Sequence, residues 1–230
     1  MYELFIANKN YSSWSLRPWL LMTELGIAFA ERLQPFERGS SWEAFRSFSP
    51  TGKVPCLHAD GLRLWDSLAI VEFLAERHTG VWPADAQARA WARCAAAEMH
   101  AGFGVLREMC SMNCGVRIQP NGIPPDLQRE LDRLAELWLE GLARFGGPFL
   151  AGERFTAVDA FYAPVAFRVQ TYGLRLPDLA EAYVARLLAL PAMQAWYAAA
   201  LAEPWREPAH EAAATQYGQV TSDLRVWPAD

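Results

Sequence analysis

The sequence lacks the features typical of nucleic-acid-binding, membrane-spanning and disulfide-stabilised proteins. Its 230 residues carry a formal net charge of −5, whereas a nucleic-acid-binding protein needs a basic surface. No apolar run approaches the about 20 residues of a membrane span, so neither nucleic acid nor a membrane is expected as a partner. The start, Met1-Tyr2-Glu3, has no basic region typical of a signal peptide. With only four cysteines, these absences predict a cytoplasmic protein with reduced thiols.

The first 80 residues predict alternating strands and helices. Apolar runs at 4–7, 28–35, 56–58 and 63–65 have the length of short strands, and Asp60-Gly61 predicts a hairpin between the last two. Segments 15–25, 41–48 and 67–77 are predicted helices. A strand, a helix and a strand in succession imply a parallel crossover. The βαβ-α-ββα order is that of the thioredoxin fold.

The composition changes near residues 79–85, where Gly and Pro precede a segment rich in Ala, Leu, Glu and Arg. Helices are predicted over 86–114, 125–145, 157–172, 179–190 and 192–201. Thr156-Ala157-Val158-Asp159 predicts a capping box. The predicted division is a thioredoxin-like domain at 1–80, a linker at 81–85 and an all-helical bundle domain at 86–230, with an unassigned tail from about residue 204.

Small hydroxyl residues precede the first predicted helix in the segment YSSWSLR, residues 11–17. A helix N-terminus favours an anion because its N–H groups are unpaired and its dipole is positive there. A free thiol, with a pKa of about 8.5, is mostly protonated at neutral pH and needs such a donor to become a thiolate. Ser12 or Ser13 can supply it, or can cap the helix, and two adjacent serines allow one of each.

Two further segments present groups that can bind a peptide. Val54-Pro55 opens a strand; if the bond is cis, the Val54 backbone faces outward and can pair with an extended peptide, and the alternative is an ordinary trans proline. Asp66 and Ser67 begin the helix at 67–77. Ser67 can bind a carboxylate and Asp66 an ammonium group, or either can cap the helix.

Together these segments resemble the glutathione S-transferases. YSSWSLR is similar to the Ser-Ser-Cys-Ser-x-Arg signature of the zeta class, residues 50–55 to the Asn-Pro-x-x-x-Val-Pro segment and residues 66–70 to Glu/Gln-Ser-x-Ala-Ile. The resemblance extends to about residue 200, where Thr156–Asp159 is similar to the family's capping box. It implies a thioredoxin-like domain that binds glutathione as co-substrate, a helical domain that contributes the electrophile pocket, no metal, and a homodimer.

The resemblance also assigns roles by position. Ser12 would activate the thiol, with Ser13 as the alternative, and Arg17 would be either a cation near the sulfur or the partner of an acid. Trp14 stands where the zeta signature has cysteine, which leaves the maleylacetoacetate isomerase activity of that class in question. The residues expected to contact glutathione are Ser12, Ser13, Trp14, Lys53, Val54, Pro55, Asp66 and Ser67.

The first long helix of the second domain would line the electrophile pocket in this family. His100, Phe103 and Arg107 fall on one face of the helix predicted over 86–114, either as a pocket wall or as a packing face. Cys110 and Cys114 are too few for a zinc site and are expected to be buried thiols, as is Cys56. The leading function is a detoxifying glutathione transferase; the alternatives are a glutathione-dependent isomerase and a non-catalytic protein that binds glutathione or an apolar ligand.

Overall fold

The computed structural model describes residues 1–226 and begins with a mixed four-stranded sheet. β1 runs parallel to β2 and antiparallel to β3, and β3 forms a hairpin with β4, so the strand order is β2-β1-β3-β4. The predicted thioredoxin-like order is therefore confirmed. The elements are β1 (Tyr2–Ile6), α1 (Ser13–Glu24), β2 (Phe29–Leu33), α2 (Trp42–Arg46), β3 (Cys56–Ala59), β4 (Leu62–Trp65) and α3 (Ser67–Ala75).

The remaining described chain is mostly helical and surrounds α7, which is buried along nearly its whole length. α7 packs against α1 of the sheet region and against α4 and α8, so one hydrophobic core joins the two parts of the chain. The elements are α4 (Ala86–Ala101), α5 (Gly104–Met109), β5 (Val116–Pro120), α6 (Pro125–Phe145), α7 (Ala157–Tyr172), α8 (Asp178–Ala189), α9 (Pro191–Ala202), α10 (Pro208–Thr215) and β6 (Gly218–Asp223).

The predicted capping box fixes the start of α7 and is confirmed. The buried carboxylate of Asp159 accepts the Thr156 N–H at 2.9 Å and the Leu150 N–H at 3.0 Å. It also accepts the Tyr183 hydroxyl at 2.8 Å. The hydrogen bonds to the buried Asp159 carboxylate therefore come from other parts of the fold. Through them, Asp159 holds α7 against the preceding loop and α8.

The single helix predicted over 86–114 is wrong, because the chain breaks between α4 and α5. Phe103 has a left-handed backbone with φ of 55°, and a Cβ on Gly102 would lie 2.8 Å from the Glu98 carbonyl oxygen. The Glu130 carboxylate on α6 accepts the N–H groups of Val105 and Leu106, at 3.2 and 2.7 Å. A side chain distant in sequence thus caps a new helix start, which apolar spacing does not reveal.

The expectation of a purely helical second part also needs correction. β5 and β6 form an antiparallel pair, and α10 lies after residue 204, in the segment for which the sequence predicts no element. The two strands are nearly a hundred residues apart, so neither carries a local hairpin signal. Residues 227–230 of the predicted tail lie outside the described residues.

None of the individual helices within residues 1–226 is both long enough and apolar enough to span a membrane. The consecutive helices α8 and α9 meet those criteria only as a pair, with a bend of 70° between them.

Candidate functional site

A cavity of about 450 Å³ lies where the sheet region meets the helical part. Five of the residues predicted to contact glutathione line it: Ser12, Ser13, Trp14, Lys53 and Val54. Other walls come from α2, from the segment after α5, from α7 and from α10. The fold therefore brings the start of α1 and the entry to β3 together around one space.

Serine hydroxyls form a short relay at the N-terminus of α1. Ser12 is 5% exposed and donates to the Ser15 hydroxyl oxygen at 2.7 Å, and that oxygen also accepts the Ala7 N–H at 3.3 Å. The Ser12 side chain makes no capping bond, and the half-buried Ser13 makes no side-chain hydrogen bond within residues 1–226. If the Ser15 hydroxyl donates instead, the Ser12 proton is free for a group in the cavity. The sequence motif contains Ser15, but its place in the relay appears only in the folded chain.

Val54 and Lys53 reach the cavity from the loop before β3. The Val54–Pro55 peptide bond is cis, as the resemblance implies. Val54 is half-buried, Lys53 is exposed and Pro55 is buried behind them. A backbone edge and an ammonium group are therefore next to each other on the same side of the cavity.

Asp66 and Ser67 begin α3 but are not among the residues that line this cavity. Asp66 has a positive φ of 72°, and its carboxylate caps the helix by accepting the Leu68 N–H at 2.9 Å. Ser67 is fully buried, and its hydroxyl accepts Arg17 Nη1 at 3.4 Å. Ser67 is thus joined to α1 through Arg17.

Within residues 1–226, Arg17 is buried with no carboxylate at salt-bridge distance, and Asp66, the acid that favours its charged form, acts on it from farther away. Its guanidinium lies over the rings of Trp14 and Phe161, at 4.1 and 4.8 Å from their centroids. Burial lowers the pKa of Arg17 to about 9, and the guanidinium groups of Arg168 and Arg107 act in the same direction. Aromatic faces take the place of a carboxylate around this cation.

The predicted common face of His100, Phe103 and Arg107 is divided by the break after α4. His100 stacks edge-on against Trp14 at 5.3 Å and lies 3.4 Å from the Asp66 carboxylate, and burial lowers its pKa. Arg107 lies over Trp14 at 5.6 Å, while Phe103 packs against Tyr162 in the core. None of the three lines the cavity beside Ser12.

Several residues that line the cavity were not anticipated. Arg168 comes from α7, and His210 comes from α10, where its ring stacks on Tyr11 and Phe36 at 5.0 and 4.5 Å. A single arginine within an apolar helix was the only sequence signal for Arg168. Nothing local in the tail predicted that His210 returns to the start of α1.

The cysteines do not build a metal site in the described chain. Cys56, Cys110 and Cys114 are buried free thiols, as expected, and Cys94 is exposed. Burial raises the pKa of Cys56 to about 11 and of Cys110 to about 12. Among residues 1–226, no three His, Cys, Asp or Glu side chains are grouped closely enough to hold a metal ion.

Both parts of the chain match sequence models of known domains. Residues 11–77 match the glutathione S-transferase N-terminal domain, and residues 85–199 match the glutathione S-transferase C-terminal domain. The chain belongs to the glutathione S-transferase family. Together the two matches cover most of its length and contain the cavity's serine, valine and arginine residues.

Individual relatives agree with this membership. The chain is 30% identical over 142 residues to maleylacetoacetate isomerase of Rhizobium meliloti (strain 1021), a match to 56% of this chain and 63% of the isomerase. The match thus spans less than two thirds of that relative.

Two solved structures that contain glutathione share the fold. One is the theta class glutathione S-transferase of Xanthomonas axonopodis pv. citri, with 25% identity, a TM-score of 0.61 and coverage of 85% of this chain and 96% of that one. The other is a glutathione transferase homolog from Burkholderia gl BGR1, with 22% identity, a TM-score of 0.64 and coverage of 86% and 97%.

Proposed function

We propose that this glutathione S-transferase family member binds glutathione in the 450 Å³ cavity and activates its thiol for attack on an electrophilic carbon. The observation that carries the proposal is the hydrogen-bonded pair of Ser12 and Ser15, which is anchored by the Ala7 N–H and presents Ser12 to the cavity that Val54 also lines. Val54 would pair with the cysteinyl backbone of glutathione, and Lys53 would bind its glycyl carboxylate. The γ-glutamyl end would extend toward Asp66 and Ser67.

In this scheme Ser12 is the catalytic hydroxyl. A donor at the sulfur stabilises the thiolate more than the thiol, so it lowers the thiol pKa and acts most strongly as charge develops. Ser15 is a positioning residue: in the structure it accepts the Ser12 proton, and when glutathione binds it would donate to Ser12 instead and so turn the Ser12 proton toward the sulfur. Ser13 is the rival donor, because its hydroxyl makes no other hydrogen bond within residues 1–226.

The test is a pH titration of thiolate absorbance for glutathione bound to the wild-type protein and to three alanine variants. Ser12→Ala should return the bound thiol toward a pKa of about 8.5 and lower kcat roughly 100-fold, as loss of one donor to a developing anion does. Ser15→Ala should give a smaller change in the same direction, and Ser13→Ala little change. The fold should tolerate Ser12→Ala, because the side chain caps nothing.

The outcomes separate the candidates. An unchanged pKa and rate in Ser12→Ala, with both altered in Ser13→Ala, would transfer the role to Ser13. Binding of glutathione with no lowering of the thiol pKa in the wild type would favour a non-catalytic binding protein and contradict the proposal.

A glutathione-dependent isomerase is the second candidate, favoured by the similarity to the Rhizobium meliloti maleylacetoacetate isomerase. In that chemistry the thiolate adds to the substrate and later leaves, so glutathione is not consumed. Product analysis separates the two, because a transferase forms a stable thioether.

We also propose a cytoplasmic homodimer with domains at residues 1–80 and 86–230, on the strength of the family resemblance. Light scattering of the purified protein measures the assembly directly, and a monomer mass would contradict the dimer.

A further inference from the structure

Arg168 is a buried cation on the cavity wall, and no residue within 1–226 forms an ion pair with it. It is 4% exposed, lines the same cavity as Ser12, and its Nε has no hydrogen-bond partner within residues 1–226. Nη1 donates only to the Pro164 carbonyl oxygen of its own helix, at 3.4 Å. Buried charges are normally paired and hydrogen-bonded, so this guanidinium has unused donors.

The ionisable groups around Arg168 do not neutralise it. Those that act on it most strongly within residues 1–226 are Cys110, Tyr172, Cys114 and Arg107, together with Arg17, and no carboxylate is among them. Burial raises the pKa of Cys110 to about 12 and raises those of Tyr172 and Cys114 as well, so all three are uncharged at neutral pH. Arg107 and Arg17 add further positive charge. Burial lowers the pKa of Arg168 itself to about 10, which leaves it protonated.

The cavity that Arg168 lines has polar walls, among them Tyr11, Ser111 and His210, and an apolar part. The apolar part is formed by Phe36, Trp42, Phe45 and Met112. The proposed function, on which this step rests, places both carboxylates of glutathione elsewhere, at Lys53 and toward Ser67. The helical part of the chain, which supplies Arg168, therefore offers a positive group to the second substrate.

We propose that Arg168 binds a carboxylate of the electrophilic substrate, so that the enzyme prefers electrophiles with an apolar body and one anionic group. A guanidinium can hold a carboxylate by two parallel hydrogen bonds, which fixes the orientation of the substrate as well as its charge. The electrophilic carbon would then be held toward the sulfur beside Ser12.

The probe pair is 4-chloro-3-nitrobenzoate and the neutral 4-chloro-3-nitrobenzamide, which have nearly the same shape. In the reaction, the glutathione sulfur forms a bond to the ring carbon that carries chlorine. The carbon–chlorine bond breaks, chloride leaves with the bonding electron pair, and the thiol proton passes to solvent. No oxidant or reductant is needed.

Calorimetry should measure binding of each probe with and without S-methylglutathione, which fills the glutathione site but cannot react. The wild type should bind the benzoate at least roughly tenfold more tightly than the benzamide, a ratio equivalent to about 1.4 kcal/mol. Arg168→Met should abolish this preference and leave benzamide binding unchanged. Arg168→Lys, which keeps the charge but loses the paired hydrogen bonds, should lose part of the preference for the benzoate. This variant provides the test if the methionine variant does not fold.

The control is Arg175→Met, which removes the same charge from an exposed residue after α7. It should retain the full preference for the benzoate. Equal binding of the two probes to the wild type, no binding of either, or a preference that survives in Arg168→Met would overturn the proposal. Turnover of each probe with glutathione is measured separately. If neither probe reacts but the binding preference depends on Arg168, the proposed transferase activity is contradicted and the proposed anion subsite is supported.

Discussion

Replacing Arg168 with methionine should stabilise the protein in the absence of ligand. Burial lowers the pKa of this guanidinium to about 10, which means that the folded protein disfavours the charged form. At about 1.4 kcal/mol per pKa unit, the penalty is roughly 3 kcal/mol. It is fully present at neutral pH, and it would be relieved only as the pH rises through about 10 toward the ordinary value. Methionine has a similar length and no charge to desolvate.

Part of this gain will be offset, because the variant loses the contact with Pro164 and some packing of the long side chain. A net stabilisation of about 1–2 kcal/mol is therefore expected, and this corresponds to a rise in Tm of roughly 2–8 °C for a chain of this size. Thermal unfolding at pH 7, followed by circular dichroism, measures it. The exposed control Arg175→Met should stay within about 0.5 kcal/mol of wild type. Destabilisation of Arg168→Met by about 1 kcal/mol or more would show that the guanidinium is satisfied within the fold and would refute the reasoning.

Three other substitutions, one of them with a matched control, test separate parts of the structure. Ser67→Ala should weaken glutathione binding by roughly tenfold, the value of a hydrogen bond to a charged group; an unchanged Kd in calorimetry would remove Ser67 from the site. Gly141→Ala places a Cβ 2.6 Å from the Leu150 carbonyl oxygen and should cost about 1–3 kcal/mol in urea unfolding. Gly104→Ala, with open space around it, is the control and should be near neutral. Asp159→Ala leaves buried donors unpaired and should cost about 3 kcal/mol; a Tm equal to that of wild type would contradict this.

Features encoded by adjacent residues were predictable from the sequence. The hairpin between β3 and β4 follows from Asp60-Gly61, and both residues adopt the positive φ that this turn requires. α6 and α7 begin and end where their apolar spacing and flanking Gly and Pro indicate. The grouping of the α1 serines with Val54 was accessible only because the family resemblance joined two distant segments.

Features that depend on partners far along the chain were not predictable. The start of α5 is set by the Glu130 carboxylate, and β5 pairs with a strand close to the end of the described chain. His210 reaches Tyr11 across two hundred residues. Hydrophobic periodicity within a short stretch of sequence indicates neither such pairings nor how they enclose a cavity. The residues on the helical side of the site are therefore identified only in the folded chain.

The two buried charges of α7 show how structural and functional residues can be separated. Asp159 accepts hydrogen bonds from Leu150 and Tyr183, so the fold itself compensates its burial. Arg17, on the neighbouring helix, is compensated by aromatic faces and a serine hydroxyl. Within residues 1–226, Arg168 has no aromatic face over it and only one long hydrogen bond, to the Pro164 carbonyl oxygen, although it is nearly as buried as Arg17. Buried polar groups that the fold leaves without sufficient partners concentrate at functional sites. The negative partner that Arg168 lacks is the one that a carboxylate substrate would supply.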